Sequence, residues 1–269
     1  MSESVPPLVI DVDDPALIER FTRRDTALHL YELGDLDPFF WPHTRWWGLV
    51  DAHGELSAVT LLYTGASLPT VLALGRRGDD ALATLLSAVA PRLPARVYAH
   101  LGPGLLPCLG ERWHATHHGR YLKMQLLGDA APSHPLADQA VRLEPDDREE
   151  LLVLYERAYP GNWFDPRMLE SGQYYGLRHG GELVCAAGIH VFSSRYRVAA
   201  LGNVTTLPSH RGQGLAAATT ARLCRSLRDA GIETIGLNVR ADNAAAIACY
   251  QRLGFAEIGE YDEYLLDPP

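Results

Sequence analysis

The spacing of apolar positions along the chain switches repeatedly between helical and strand-like periods. Pro15–Arg24 carries a helical pattern, and an apolar run at Ala27–Leu33 precedes the Asp-Pro and aromatic loop chemistry of Asp37–His43. Trp46–Asp51 and Glu55–Tyr63 are strand-like runs separated by Ala52-His53-Gly54, a hairpin signal. Val71–Leu74, Ala95–His100 and Tyr121–Leu127 read as further strands, with a helix at Asp79–Ala90 that starts on acidic residues. Gly128–Pro135 (G-D-A-A-P-S-H-P) concentrates glycine, proline and small residues, which marks a domain boundary.

Beyond that boundary the pattern predicts a short strand at Val141–Glu144, a helix at Asp146–Ala158 and a short helix at Asp165–Ser171. A hairpin follows, joining Tyr174–Arg178 to Glu182–Phe192. The second of these runs is apolar on both faces, so helices are expected on each side of its sheet. Leu201–Thr206 reads as strand, Leu215 onward as helix closed by Gly231, Thr234–Arg240 as strand and Ala244–Leu253 as helix. Phe255–Leu266 completes the chain as one or two strands. The halves echo each other: Trp46-Trp47-Gly48-Leu49 with Gly54-Glu55-Leu56 matches Tyr174-Tyr175-Gly176-Leu177 with Gly181-Glu182-Leu183. The expected fold class is therefore α/β in layers (α+β layered), built from two copies of one unit at 1–130 and 139–269. Each copy is a mixed, mostly antiparallel sheet flanked by helices.

Composition narrows the partners. The 269 residues carry a net charge of −9, which disfavours nucleic acid or an anionic membrane and leaves an amine-bearing partner favoured. No run approaches membrane-spanning length and Met1–Asp14 is acidic without an apolar core, so a cytoplasmic protein is expected. Cys108, Cys185, Cys224 and Cys249 lie far apart with no ligand-like spacing, which predicts reduced thiols and no metal. His114, His117 and His118 lack a nearby carboxylate pattern and read as solvated or locally hydrogen-bonded.

Two stretches carry candidate chemistry. Arg211-Gly212-Gln213-Gly214-Leu215-Ala216 joins the end of a strand to the start of a helix. Such a loop aims backbone N–H groups and a helix dipole at a diphosphate, the alternative being a plain glycine turn. The first copy has Arg77-Gly78-Asp79-Asp80 there, and an acid at the position of Gly214 would repel a diphosphate. The second stretch runs from Asn238 to Phe255. Asn243 and Tyr250 stand two helical turns apart within it and so share a face, although an N-cap and a half-buried aromatic are ordinary readings of the two.

With both stretches in view, Ala140–Leu266 resembles the GNAT superfamily of acyl-CoA-dependent N-acyltransferases. Arg211 to Ala216 fits its pyrophosphate loop, and Asn243, Tyr250 and Leu253-Gly254-Phe255 fit its later motif. The resemblance implies two tandem GNAT-like domains, the first degenerate and lacking a cofactor loop. It also implies acetyl-CoA or another acyl-CoA as co-substrate, without a metal, and an amine of a small molecule or peptide as acceptor. Val204, Thr205 and Thr206 would pair with the pantetheine arm, Arg211, Gly212, Gln213, Gly214, Leu215 and Ala216 would hold the pyrophosphate, and Asn243 would contact the arm. Tyr250, with an ordinary pKa of about 10, would protonate a leaving thiolate of about 8.5. Tyr159, Trp163, Phe164, Tyr174 and Tyr175 lie where the family's acceptor pocket forms, core packing being the alternative.

The carboxylates that many members use as base are missing. Asn238 stands at one such position, and Ala199-Ala200-Leu201-Gly202 contains no acid. His190 is the side-chain candidate for the base, expected across from Ala199 or Ala200, with a buried structural histidine as the alternative. An acyl-CoA-binding sensor or scaffold without turnover is the rival reading.

Overall fold

The computed structural model describes residues 8–269, so part of the acidic N-terminal stretch lies outside the described residues. In chain order the elements begin with β1 (Leu8–Asp11), α1 (Pro15–Thr22), α2 (Leu30–Gly34), β2 (Thr44–Val50), β3 (Leu56–Tyr63) and β4 (Thr70–Ala73). They continue with α3 (Asp80–Val89), β5 (Val97–Leu101), β6 (His114–Leu126), β7 (Val141–Arg142), α4 (Arg148–Ala158) and β8 (Tyr175–His179). The last six are β9 (Glu182–Ser193), β10 (Val198–Thr206), α5 (Leu215–Asp229), β11 (Thr234–Arg240), α6 (Ala244–Arg252) and β12 (Phe255–Asp267). Among the described residues no helix is long and apolar enough to cross a membrane.

Two compact units result. The first comprises the chain up to Lys123 with Arg240–Asp242 and Ile258–Pro269; the second comprises Met124–Val239 and Asn243–Glu257. The expected division at 130 and 139 departs from this in three places: Met124–Ala130 folds with the second unit, while Arg240–Asp242 and the C-terminal residues of β12 fold with the first. For β12 the reason is pairing: Asp262–Leu266 lies antiparallel to Val97–Leu101 of β5.

Strand order in the first unit is β1-β2-β3-β4-β5-β12-β6. β1/β2, β2/β3, β3/β4 and β5/β12 run antiparallel and β4/β5 parallel, the crossover between the last pair being α3. Local chemistry starts the helices where the sequence places them. Asp14 Oδ1 accepts the Ala16 N–H at 2.9 Å ahead of Pro15, and Asp79 Oδ1 accepts the Leu82 N–H at 2.9 Å. Leu82, Leu85, Leu86 and Val89 of α3 pack on Trp47, Val71, Val97 and Ala99 in an apolar core. Strand β6 starts seven residues earlier than its apolar run (His114 rather than Tyr121), taking in the three histidines. His117 Nε2 lies 3.0 Å from Asp262 Oδ1, and His118 meets the Tyr98 ring edge-on. Among the described residues no cluster of three or more metal-ligating side chains occurs.

Strand order in the second unit is β11-β10-β9-β8-β7, with β10/β11 parallel through α5 and the other pairs antiparallel. Three antiparallel steps followed by a crossover helix into a parallel strand occur in the same order in both units, as the repeated hairpin residues predict. Helices cover both faces. The Tyr175 hydroxyl donates to Ser226 Oγ of α5 at 2.9 Å, whereas Tyr174, one residue earlier, faces the side where Tyr155 of α4 reaches the Asn203 carbonyl.

Candidate active site

The parallel ladder between β10 and β11 stops at Leu201↔Leu237, although β10 continues to Thr206. On its other side β10 stays paired to β9 through Thr205↔Ala186 and Thr206↔Cys185, after register shifts at Ala200/Leu201 and Gly202/Thr205. The second shift contains Asn203, whose φ of 55° is left-handed. This bulge turns β10 away from β11 and leaves an open strand edge over Val204, Thr205 and Thr206. An extended, amide-bearing ligand can add to such an edge as a strand.

Past this edge lies the glycine loop. Gly212 and Gly214 have φ of 78° and 77°, a region that side chains with a Cβ rarely adopt, so both positions need glycine. Gly214 is the N-cap of α5 and supplies no side-chain cap, so the first-turn N–H groups remain available to an anion. Arg211 anchors the loop: its Nε donates to the Thr206 carbonyl at 3.2 Å and an NH2 group donates to the Ala158 carbonyl at 3.3 Å. Gln213, Leu215 and Ala216 complete the turn into the helix. The equivalent place in the first unit is built differently. Asp79 caps α3 with its own carboxylate, the β4/β5 ladder holds to its last pair Ala73↔Leu101, and the Gly102 N–H continues it to the Ala73 carbonyl at 2.8 Å.

Asn243 is the N-cap of α6, its Oδ1 accepting the Ala246 N–H at 3.1 Å, which leaves only Nδ2 of this side chain for other contacts. Two turns on, Tyr250 is buried, with its ring edge-to-face against Phe255 at 5.9 Å. Burial pushes the Tyr250 hydroxyl well above the ordinary phenol range, reinforced by nearby Cys249 and Tyr159. The ordinary value assumed from sequence is thus corrected upward. The group therefore stays protonated at all working pH values, which suits it to donating a hydrogen bond. Asn238, one residue past the last ladder pair, has a buried Oδ1 without a hydrogen-bond partner among the described residues.

His190 falls inside the first register shift. Its ring consequently lies over Gly202, where an added Cβ would meet His190 Cδ2 at 2.2 Å, and not across from Ala199 or Ala200 as expected. The bulge residue is what organises the surroundings. Asn203 Nδ2 donates to the Tyr174 oxygen at 3.1 Å, and Tyr174 donates onward to the Ile189 carbonyl at 2.9 Å. That orientation turns Asn203 Oδ1 toward Asn162 Nδ2 at 3.1 Å and His190 Nε2 at 3.3 Å, so Nε2 bears the proton and the ring's lone pair is on Nδ1. Trp163 stands edge-on to His190 at 5.7 Å, and Phe164 packs on Tyr174 and Tyr155. Tyr159 is half exposed near Tyr250. Tyr175 does not join this group. Strand alternation sends it to α5, where Arg222 lies over its ring at 4.6 Å.

Asn203, Asn162 and Tyr155 were not among the sequence candidates. Gly202-Asn203 inside a β-branched run is a bulge signal, and it was the one available pointer.

The model of the acetyltransferase (GNAT) family matches residues 139–255. The alanine N-acetyltransferase of ribosomal protein bS18 from Escherichia coli K12 is 33% identical over 119 residues, 43% of this chain and 78% of that protein. A mycothiol acetyltransferase from Streptomyces coelicolor is 36% identical over 125 residues, 45% of this chain and 34% of its own length. Among solved structures, a tandem GNAT protein from the clavulanic acid biosynthesis pathway aligns over 98% of this chain and 99% of its own, with a TM-score of 0.54 and 17% identity. The last likeness concerns fold alone.

Proposed function

Because the chain belongs to the GNAT acetyltransferase family and is an acyltransferase, we propose that it moves acetyl from acetyl-CoA to a primary amine of a small molecule or peptide by direct attack. The observation that carries this reading is the open edge of β10 leading straight into an uncapped glycine cradle at α5. Val204, Thr205 and Thr206 would hold the pantetheine arm and Arg211 to Ala216 the pyrophosphate, while the unpartnered Asn238 Oδ1 offers an acceptor to an N–H beside the arm. The first unit, with Asp79 in its own helix cap and a closed ladder, is read as binding no acyl-CoA. An amine acceptor accords with the relative named for acetylating alanine of a ribosomal protein.

In the proposed reaction the amine nitrogen bonds to the thioester carbon while the carbon–sulfur bond breaks. A backbone N–H near Thr206 faces the developing oxyanion, and the ammonium proton passes to His190 before attack. The nitrogen's second proton passes to the departing thiolate to give the free thiol, and Tyr250 donates a hydrogen bond to that sulfur. Asn203 supports the assignment of His190 by fixing its tautomer. Incubating the chain with acetyl-CoA and a panel of amines should release free thiol in step with amide formation. Thiol release no greater than spontaneous hydrolysis with every amine would leave only a binding protein.

The base has its own test. With His190 in that role, kcat/KM should rise with pH through one histidine-like step that His190→Ala abolishes. A profile that climbs only at the acceptor's own pKa in both proteins would show that the amine enters already neutral.

A further inference from the structure

The glycine cradle has a neighbour that lies outside the family motif, in the Gly- and Pro-rich segment before β7. His134 sits so close to Gly214 that a Cβ there would lie 3.3 Å from His134 Nε2 and 3.5 Å from its Cε1. The ring is held in place. Its Nδ1 accepts the Leu136 N–H at 3.2 Å, and its carbonyl accepts the Ala137 N–H at 3.0 Å. The turn that follows is tied to α5 by Asp138 Oδ1 and Arg225 at 2.6 Å.

These contacts decide the tautomer. With the Nδ1 lone pair engaged by Leu136, the neutral ring carries its proton on Nε2, the atom that faces Gly214. That N–H has no acceptor among the described residues, and it lies against the positive end of a helix whose own first-turn N–H groups lack a cap. Donors facing donors gain nothing from each other. An anion placed between them satisfies both sets at once.

We propose that His134 is a phosphate-binding residue of the acyl-CoA site, donating its Nε2–H to a non-bridging pyrophosphate oxygen held by Arg211 to Ala216. This rests on the acyl-CoA reading of the cradle and adds a wall to it that comes from a separate stretch of chain. The recognised chemistry is the pyrophosphate, not the adenosine 3′-phosphate or the pantetheine.

Calorimetric titration of the full chain with CoA, dephospho-CoA and S-acetylpantetheine separates these parts. His134→Asn keeps a short acceptor for the Leu136 N–H, as in an Asx turn, but cannot reach the phosphate. It should bind CoA and dephospho-CoA about tenfold more weakly than the parent, the scale of one hydrogen bond to a charged group, and S-acetylpantetheine equally well. His134→Gln, with an amide N–H near the Nε2 position, should recover most of the loss. Unchanged CoA affinity in His134→Asn would overturn the proposal. Tighter binding would overturn it too, by showing that the ring obstructs the cradle. An equal loss for S-acetylpantetheine would reassign His134 to folding. A parent chain that binds neither CoA nor dephospho-CoA would remove the acyl-CoA reading itself, a failure visible before any variant is compared.

Discussion

Gly214→Asp is expected to weaken CoA binding at least about 10²-fold, the largest effect of any single change in the cradle. Three costs add. A residue with a Cβ at φ 77° pays about 1–2 kcal/mol of backbone strain, less for Asp than for most. The new side chain meets His134 Nε2 within 3.3 Å of its Cβ. Its carboxylate also repels the pyrophosphate and can take the first-turn N–H groups for itself, as Asp79 does for α3. About 3 kcal/mol in total corresponds to that factor. Gly214→Ala, which keeps the strain and crowding without the charge, should fall between parent and Asp variant. Isothermal titration showing the Asp variant at parental affinity would remove the cradle from the site.

Tyr250→Phe should lower kcat about 10²-fold while the dissociation constant for acetyl-CoA stays within about twofold of the parent. The hydroxyl is raised out of the titrating range by burial, so in the proposed mechanism it would give sulfur a hydrogen bond that strengthens as negative charge develops there. Deleting it removes an interaction made chiefly in the transition state. Because the group does not ionise between pH 6 and 9, the variant's rate should be depressed evenly across that range, distinguishing it from His190→Ala. An unchanged pre-steady-state rate would make Tyr250 a packing residue of α6 and no more.

What could be read from the sequence was whatever depends on near neighbours. The glycine loop, the helix starts at Asp14 and Asp79, and the hairpins all rest on contacts within a few residues. Tyr174 and Tyr175 were grouped by adjacency, where a strand's two-residue period had to separate them. The bulge at Asn203 escaped because its left-handed backbone is held by partners far away in sequence, Tyr155, Asn162, Tyr174 and His190. The separate register shift between Ala200 and Leu201, which skips His190, moved the candidate base as well. The place of residues 258–267 was equally hidden, since an apolar alternation says that a strand exists and nothing about which sheet receives it.

That placement has a consequence for how the chain is made. The first unit includes Ile258–Pro269, so its sheet cannot be completed while those residues are still being synthesised. Until they leave the ribosome, β5, with Val97, Ala99 and Leu101 fully buried in the finished protein, presents an unpaired edge on one side. The usual order, in which an N-terminal domain matures before its successor, is unavailable to this chain. A nascent polypeptide stalled before residue 258 should remain protease-sensitive around Val97–Leu101, gaining resistance once Ile258–Asp267 has left the ribosome.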